Sequence, residues 1–458
     1  MATNVLDATV PAGTDCRPSW REPMGEPAYA RLALLVLTGL AAVLYSWGIG
    51  HSQYHTFYAD AARSMTESWK AFFYGSFDPG NSITLDKLPG FLWPQALSAR
   101  LFGFHPWALI LPQVLEGMAS LLVLYRVVRH WAGTNAALIA GAAFLVTPVT
   151  VGLFRSAVED PAFTLCLLLA AEATQRAARY GRLRPLVLAG VWVGLGFQAK
   201  MLEAWAVLPA LALVHVISAP LTRRRRLVHL GVSALVTTAV SASWMLAVTL
   251  TPAGDRPYVD GTTNNSAFSM VVGYNFLNRF ASLGISAAST GSVSATQGVG
   301  AGHGGGPARE GDAESAGIRH RAAGALGSAG AQSAKVAQSA GGAQSAGGAQ
   351  SARGARTTRG SADVRADAEH RTAGGFGGGQ NGWSKMFGTS LASQTGWFYP
   401  FAAVSAVCGL LWRRGRPRTD RLRAGFVLWG TWLATYFLVF SAGSVGGHTY
   451  YMGVIAVP

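Results

Sequence analysis

The sequence predicts an all-α polytopic membrane protein, and three observations carry that prediction. Of 458 residues, 50% are hydrophobic and only 13% are charged, about half the charged fraction of an average soluble domain. The hydrophobic residues gather into runs that approach or meet the roughly 20 residues a helix needs to cross a bilayer core. The basic residues stand between those runs rather than along one stripe.

Spans are predicted at residues 32–49, 109–125, 136–151, 162–173, 186–198, 204–217, 227–250, 397–412 and 424–442. Several are short cores that must borrow flanking residues. The first follows a polar, Pro-containing stretch and lacks a small-residue cleavage site, so it is predicted as a retained helix rather than a signal peptide. The net charge of +15 comes largely from Arg126/Arg129, Arg176/Arg179/Arg182/Arg184, Arg223 to Arg226 and the cluster from Arg413 to Arg423. If residues 32–49 leave the cytoplasm, every one of these clusters falls on the cytoplasmic side, as the positive-inside rule requires. The arginines then orient helices. A nucleic-acid partner, which would need them on one folded soluble surface, is not expected. Three cysteines are too few for a disulfide framework, and Cys166 and Cys408 lie inside apolar runs as packing residues.

The same topology makes residues 51–106, 152–161, 199–203, 251–396 and 443–451 extracytoplasmic. In the first of these, Tyr58, Ala61, Ala62, Met65, Trp69, Phe72 and Phe73 recur at helical spacing, which predicts a helix lying in the membrane interface. Asp60, Arg63, Glu67 and Lys70 occupy its other face. The chain turns at Asp78-Pro79-Gly80-Asn81 and reaches a second interfacial segment at Phe91-Leu92-Trp93. Residues 284–382 are rich in Gly, Ala, Ser and Gln, and cannot bury enough surface to offset chain entropy. They are predicted as a disordered extracytoplasmic loop, with a flap over a site or a wall-binding tether as the functional alternative. The predicted organisation is thus a cytoplasmic tail at 1–31, a transmembrane catalytic core at 32–283, the loop at 284–382, and C-terminal transmembrane segments at 383–458. The chain stops at Pro458 where another helix should begin, so these last segments read as truncated.

Ionisable residues near a membrane boundary are functional candidates because desolvating them is costly unless they are paired or used. Asp86 and Lys87 are adjacent opposite charges between an apolar strip and Pro89, placed for function or for anchoring at the headgroups. Glu159 and Asp160 open a helix, where acids complement the dipole and cap the first turn, and Pro161 suits the first helical position. Two acids together with Arg155 in so short a loop exceed what capping needs. Lys200, in a tight external turn with Glu203, either snorkels or contacts a phosphate. Asp60 has face-mates for ordinary surface pairs. No metal site is predicted: no His-x-x-x-His is recognised, the cysteines are not paired and no Asp-rich string has ligand spacing. The Gly-rich stretch lacks the Gly-Lys-Ser/Thr of a phosphate loop.

The segments Phe57-Tyr58-Ala59, Ser68-Trp69-Lys70-Ala71-Phe72-Phe73, Gly75-Ser76-Phe77-Asp78 and Asn81-Ser82-Ile83-Thr84-Leu85-Asp86-Lys87-Leu88-Pro89, with Trp93, resemble the first external loop of the YkcA/YkcB-like mannosyltransferase-type membrane proteins. Gly196-Phe197-Gln198-Ala199-Lys200-Met201-Leu202, Arg256-Pro257-Tyr258, Gly273-Tyr274-Asn275, the Gly-rich loop and His448-Thr449-Tyr450-Tyr451 extend the resemblance to the end of the chain. It implies the GT-C fold of glycosyltransferase family 39, which also holds protein O-mannosyltransferases and lipid A aminoarabinose transferases. The implied activity moves a mannose-like or related hexose, with inversion, from a polyprenyl-phosphate donor in the bilayer to an extracytoplasmic glycan, lipid or protein acceptor. Asp86-Lys87-Leu88-Pro89 takes the place of a Glu-Lys-Pro-Pro segment at the active site of the aminoarabinose transferases. Asp160 matches an acid of the second external loop. Two departures stand out: Val158-Glu159-Asp160-Pro161 replaces an Asn-Asn-Pro-Asp type segment, and His55 stands near the place of the superfamily's first-loop Asp-Glu pair.

On this resemblance the catalytic candidates are Asp86, Asp160, Glu159 and Asp60, and the substrate-binding candidates are Lys87, Lys200, Arg155, His55, His448 and Tyr450. Breaking a sugar–phosphate bond develops oxocarbenium character, the departing phosphate needs positive charge, and a carboxylate must take the acceptor's proton. Asp86, then Asp160, then Asp60 is the order of preference for that base. No cofactor is assigned, and assistance by a divalent cation is left open. Two further classes are weighed: a lipid or sugar transporter or flippase, which would place charge near the midplane where only Glu116 and Glu172 stand, and an inactive truncated relative.

Overall fold

Inside a bilayer every backbone N–H and C=O needs a partner within the chain, so apolar runs must close as helices. They do so in the computed structural model, which describes residues 27–52, 56–292, 382–444 and 449–458. In order these are α1 (Tyr29–Ser46), α2 (Thr56–Glu67), α3 (Trp69–Tyr74), α4 (Leu92–Phe102), α5 (Pro106–Ala132), α6 (Thr134–Val146), α7 (Pro148–Leu153), α8 (Asp160–Tyr180), α9 (Leu183–Lys200), α10 (Leu208–Ser218), α11 (Arg223–Leu250), α12 (Tyr399–Trp412) and α13 (Arg421–Ala442), with short 3-10 turns between. Among the described residues, extended chain pairs only as isolated bridges. Five segments there are long and apolar enough to cross a membrane: Tyr29–His51, Pro106–Ala132, Leu183–Ser218, Arg223–Leu250 and Arg421–Ala442.

The predicted spans differ from the helices at three places: α1 stops at Ser46, short of residue 49, where Gly48 takes a positive φ of 70°, and two others have local causes. Residues 136–151 break at Thr147, whose backbone is extended, because Pro148 restarts the chain as the first residue of α7. Residues 201–207 form a 3-10 segment rather than the start of α10, since Met201 adopts a positive φ of 52° that ends α9. Of the segment 284–382, residues 293–381 lie outside the described residues. The residues up to Ser292 are bonded to the preceding loop, Thr263 N–H to Gly291 O at 2.8 Å among them.

The core forms where α8 packs along α9, α9 along α11, α5 against α6 and α8, and α10 against α13. Gly190 and Gly194 make the α9–α11 contact possible: a Cβ there would lie 2.7 Å from Ser233 O and 2.5 Å from Val240 Cβ. This small-xxx-small spacing lets two membrane helices approach backbone to backbone. The arginine-rich turns meet at one end of the bundle. Arg126 holds Glu172 at 2.5 Å, and Arg226 donates to Val216 O at 2.6 Å, a carbonyl in the last turn of α10, and to Leu221 O in the turn that follows. The opposite end carries α2 to α4 and the loop segments that build the site. α2 buries Tyr58, Ala59, Ala61, Ala62, Ser64 and Met65, close to the periodicity predicted for it.

Candidate active site

The site is assembled from the segment that holds Asp86 and Lys87. The turn at residues 78–81 is fixed by Asp78, whose carboxylate accepts from Ser82 N at 3.0 Å. The following extended chain is pinned from two sides: Phe77 N donates to Ile83 O (2.9 Å) and Leu85 N to Gly75 O (2.9 Å), while Thr84 N donates to Tyr258 O (2.8 Å). Asn275 then donates its side-chain amide to Asp86 O at 2.7 Å. Lys87 therefore leaves a backbone with little freedom. Just beyond, Gly90 lies so close to α9 that a Cβ would sit 2.4 Å from Gln198 O. Gln198 is in turn tied to α11 through Val240 O at 2.7 Å. This contact brings Lys87 and Lys200, 113 positions apart in the numbering, to one cavity.

Glu159 and Asp160 meet those lysines. Glu159 precedes α8 without any side-chain cap bond; it accepts from Lys87 Nζ at 3.0 Å. Asp160 accepts from Lys200 Nζ, which also lies 3.5 Å from Glu203. Capping thus explains neither acid. The positive φ at Met201 reverses the chain and returns Glu203 beside Lys200, and the Glu203 carbonyl accepts from Tyr436 OH at 3.0 Å. A cavity of about 300 Å³ opens among them, with Lys87, Glu159, Lys200, Glu203, Asn275, Arg279 and Tyr451 in its wall. Arg279 donates Nε–H to Asn275 O at 2.8 Å and lies 5.1 Å from the Tyr451 ring centre, over which Lys200 Nζ stands at 3.8 Å.

Three cations thus share one wall with Glu159 and Glu203, and Asp86 and Asp160 stand beside the lysines of that wall. Glu159 Oε2, Asp160 Oδ2 and Asp86 Oδ1 are buried without a hydrogen-bond partner. Burial opposes the charge on Glu159, but Lys87 and Lys200 outweigh it and hold its carboxyl down at about 2. Asp86 behaves the other way: burial raises it, with Glu159 adding to the rise against the pull of Lys87. Asp260 sits near enough to feel Asp86, and burial together with that neighbour pushes it up to about 6. Lys87 is raised despite burial, by Glu159 first. The arrangement can hold an anion on its cations and take a proton on a carboxylate whose ordinary acidity has been weakened.

The remaining candidates fall elsewhere. Asp60 is on the exposed face of α2, beside the Arg63–Glu67 pair at 4.0 Å. Arg155 donates to Trp47 O at 2.5 Å, tying the end of α1 to the α7–α8 turn. Tyr450 lies one residue before the lining Tyr451, its ring centre 5.6 Å from Lys200 Nζ. His55 and His448 lie outside the described residues. His51 and His55 do share a His-x-x-x-His spacing; His51 is exposed at the end of a 3-10 turn. Among the described residues no group of three or more His, Cys, Asp or Glu side chains is placed to hold a metal ion. Sequence reasoning passed over Arg279 and Asp260, and marked Tyr274, whose side chain bonds to Asp86, only as part of the Gly273-Tyr274-Asn275 segment. The signal for Arg279 was its position four residues after Asn275, one helical turn along a segment already marked by Gly273-Tyr274-Asn275.

Residues 86–245 match the family described as dolichyl-phosphate-mannose-protein mannosyltransferase. Two curated proteins of Bacillus subtilis (strain 168) are similar. "Putative mannosyltransferase YycA" is 36% identical over 248 residues, covering 54% of this chain and 36% of that protein. "Putative mannosyltransferase YkcB" is 40% identical over 223 residues, covering 49% and 31%. The chain spans about a third of the length of these relatives. Among solved structures it resembles ArnT from Cupriavidus metallidurans bound to undecaprenyl phosphate, with a TM-score of 0.55 and 13% identity over 94% of this chain and 59% of that one. The fold is that of the GT-C membrane glycosyltransferases, on a multi-pass membrane protein, and the mannosyltransferase-type resemblance seen in the loop motifs holds.

Proposed function

We propose that this chain forms the membrane-embedded catalytic part of a glycosyltransferase that moves a hexose from a polyprenyl-phosphate carrier to an extracytoplasmic hydroxyl acceptor, with inversion. One observation carries the reading: Lys87, Lys200 and Arg279 converge on a cavity of about 300 Å³ at the end of the bundle opposite the arginine-rich turns. The ArnT structure it resembles is bound to undecaprenyl phosphate, which supports a lipid phosphate as the anion.

In the proposed step the bond from the anomeric carbon to the phosphate oxygen breaks as the acceptor oxygen bonds to the opposite face of that carbon. The sugar passes through an oxocarbenium-like state. The electron pair of the broken bond leaves on the phosphate, and the three cations stabilise the charge as it develops. The acceptor's proton goes to a carboxylate. Asp86 is assigned that role because it adjoins Lys87 and burial raises its pKa, whereas Glu159, whose carboxyl Lys87 and Lys200 hold down at about 2, acts by fixing Lys87. Asp160 fixes Lys200 in the same way.

Membranes containing the chain, supplied with a radiolabelled polyprenyl-phosphate hexose, test this. Wild type is expected to transfer label to an endogenous acceptor, and Asp86→Asn to lose roughly 10²–10⁴-fold, the usual contribution of a general base. Equal transfer by both would remove Asp86 from the mechanism. Absence of transfer by wild type, with donor binding intact, would overturn the transferase reading.

A further inference from the structure

At the arginine-rich end, α5, α8, α10 and α13 enclose a second cavity, of about 110 Å³. Its α8 lining, Glu172 to Tyr180, begins about 18 Å and ends about 30 Å along the helix from Asp160 at 1.5 Å per residue, so it is separate from the candidate active site. Its wall supplies donors: the guanidinium groups of Arg176, Arg179 and Arg421, the indole N–H of Trp131 and the hydroxyl of Ser218. Trp131 Nε1 and Ser218 Oγ are buried without a hydrogen-bond partner, and Ser218 is only 6% exposed.

The nearby carboxylates are already engaged. Glu172, in the same wall, is held by Arg126 at 2.5 Å. Asp420, beside Arg421, accepts from Arg413 at 3.1 Å and caps α13 through Arg423 N at 2.9 Å. Helix-dipole complementarity accounts for Arg179 in the last turn of α8. It does not account for Arg421, the first residue of α13, where a cation opposes the dipole. Arg179 and Arg421 repel one another at this cavity, which an anion beside them would relieve, and buried donors without an acceptor are unfavourable until one is supplied. An oxyanion with several lone pairs answers both conditions, and planar guanidinium forks match phosphate geometry.

We propose that this cavity binds a phosphate group at the cytoplasmic membrane face. Two sources share that chemistry, an anionic phospholipid headgroup and free inorganic phosphate. Basic pockets between helices on this side of a membrane are suited to lipid headgroups.

The test uses the full chain in detergent, with bound lipid counted by native mass spectrometry against phosphatidylglycerol, phosphatidylcholine or inorganic phosphate. Wild type is expected to retain phosphatidylglycerol over phosphatidylcholine. Arg421→Gln should lower that retention roughly fivefold, as expected for one basic side chain. Trp131→Phe, which keeps the ring and removes the donor, should lower it several-fold with an unchanged melting midpoint. Displacement of the lipid by millimolar phosphate would identify free phosphate as the occupant, and retention in its presence would identify the headgroup. Equal retention of both lipids together with no phosphate-dependent rise in melting midpoint would overturn the proposal. Wild-type behaviour in both variants would do the same.

Discussion

Lys87 and Lys200 are each locked to a buried acid, and that pairing separates what these residues do for stability from what they do for chemistry. Replacing Lys87 by Met leaves Glu159 buried and unpaired, a change expected to cost about 3–5 kcal/mol and to abolish transfer. The double variant Lys87→Met/Glu159→Gln removes both charges. It should recover most of the melting midpoint yet stay about 10²–10³-fold low in transfer, as for loss of one preorganised charge at a developing anion. Recovery of transfer along with stability would make Lys87 structural. Asp260 offers a pH test. Its carboxyl is raised from 3.8 to about 6 in the fold, so on raising pH the unfolded chain releases this proton first. The stability linked to Asp260 is therefore present below about pH 4, falls as pH rises to about 6, and is level above. Melting curves of Asp260→Asn across that window should lack the decline seen in wild type.

At the scale of elements, the site depends on one close approach. The Pro89–Phe91 turn and the end of α9 meet at Gly90, where a Cβ would stand 2.4 Å from a backbone oxygen. Gly90→Ala must push the two segments apart. A loss of about 1–3 kcal/mol is expected, as for overpacking, measured as a lower melting midpoint with transfer reduced beyond what the residual folded fraction explains. The helices themselves were legible from apolar periodicity, α2 in part: Tyr58, Ala61, Ala62 and Met65 are buried, but the predicted helix breaks at Ser68, whose side chain caps α3, and Trp69 and Phe73 of the same predicted face are exposed. The breaks at Thr147 and Met201 were not. A backbone conformation such as φ 52° at Met201 is imposed by packing around the turn and leaves no mark in side-chain pattern.

For the whole molecule, the arginine-rich turns define one face and the lysine-lined cavity the other. In a background with Cys16, Cys166 and Cys408 replaced, a cysteine at Arg182 or Gly415 should react with a membrane-impermeant maleimide only from the cytoplasmic side, and one at Gly80 only from outside. Labelling of all three from the same side would invert or refute the topology. Asp86, Lys87, Glu159, Asp160 and Lys200 were conspicuous in the sequence because a chain with 13% charged residues has few reasons to place them next to apolar runs. Arg279 and Tyr451 were not conspicuous, because their segments reach Lys87 and Lys200 only by folding back across the bundle.

The amino-acid sequence by itself determined that this chain crosses a membrane, and it supplied the expected orientation of its helices and the acids and lysines proposed for a role. Those are consequences of composition and of charge placement along one dimension, where hydration cost acts residue by residue. Only the tertiary structure decided the pairings: Lys87 with Glu159, Lys200 with Asp160, Arg279 beside Tyr451, and Asp60 and Arg155 set apart from the cavity. Ion pairing in a low-dielectric interior depends on distances of a few ångströms. Those distances are set by helix packing between residues far apart in the chain.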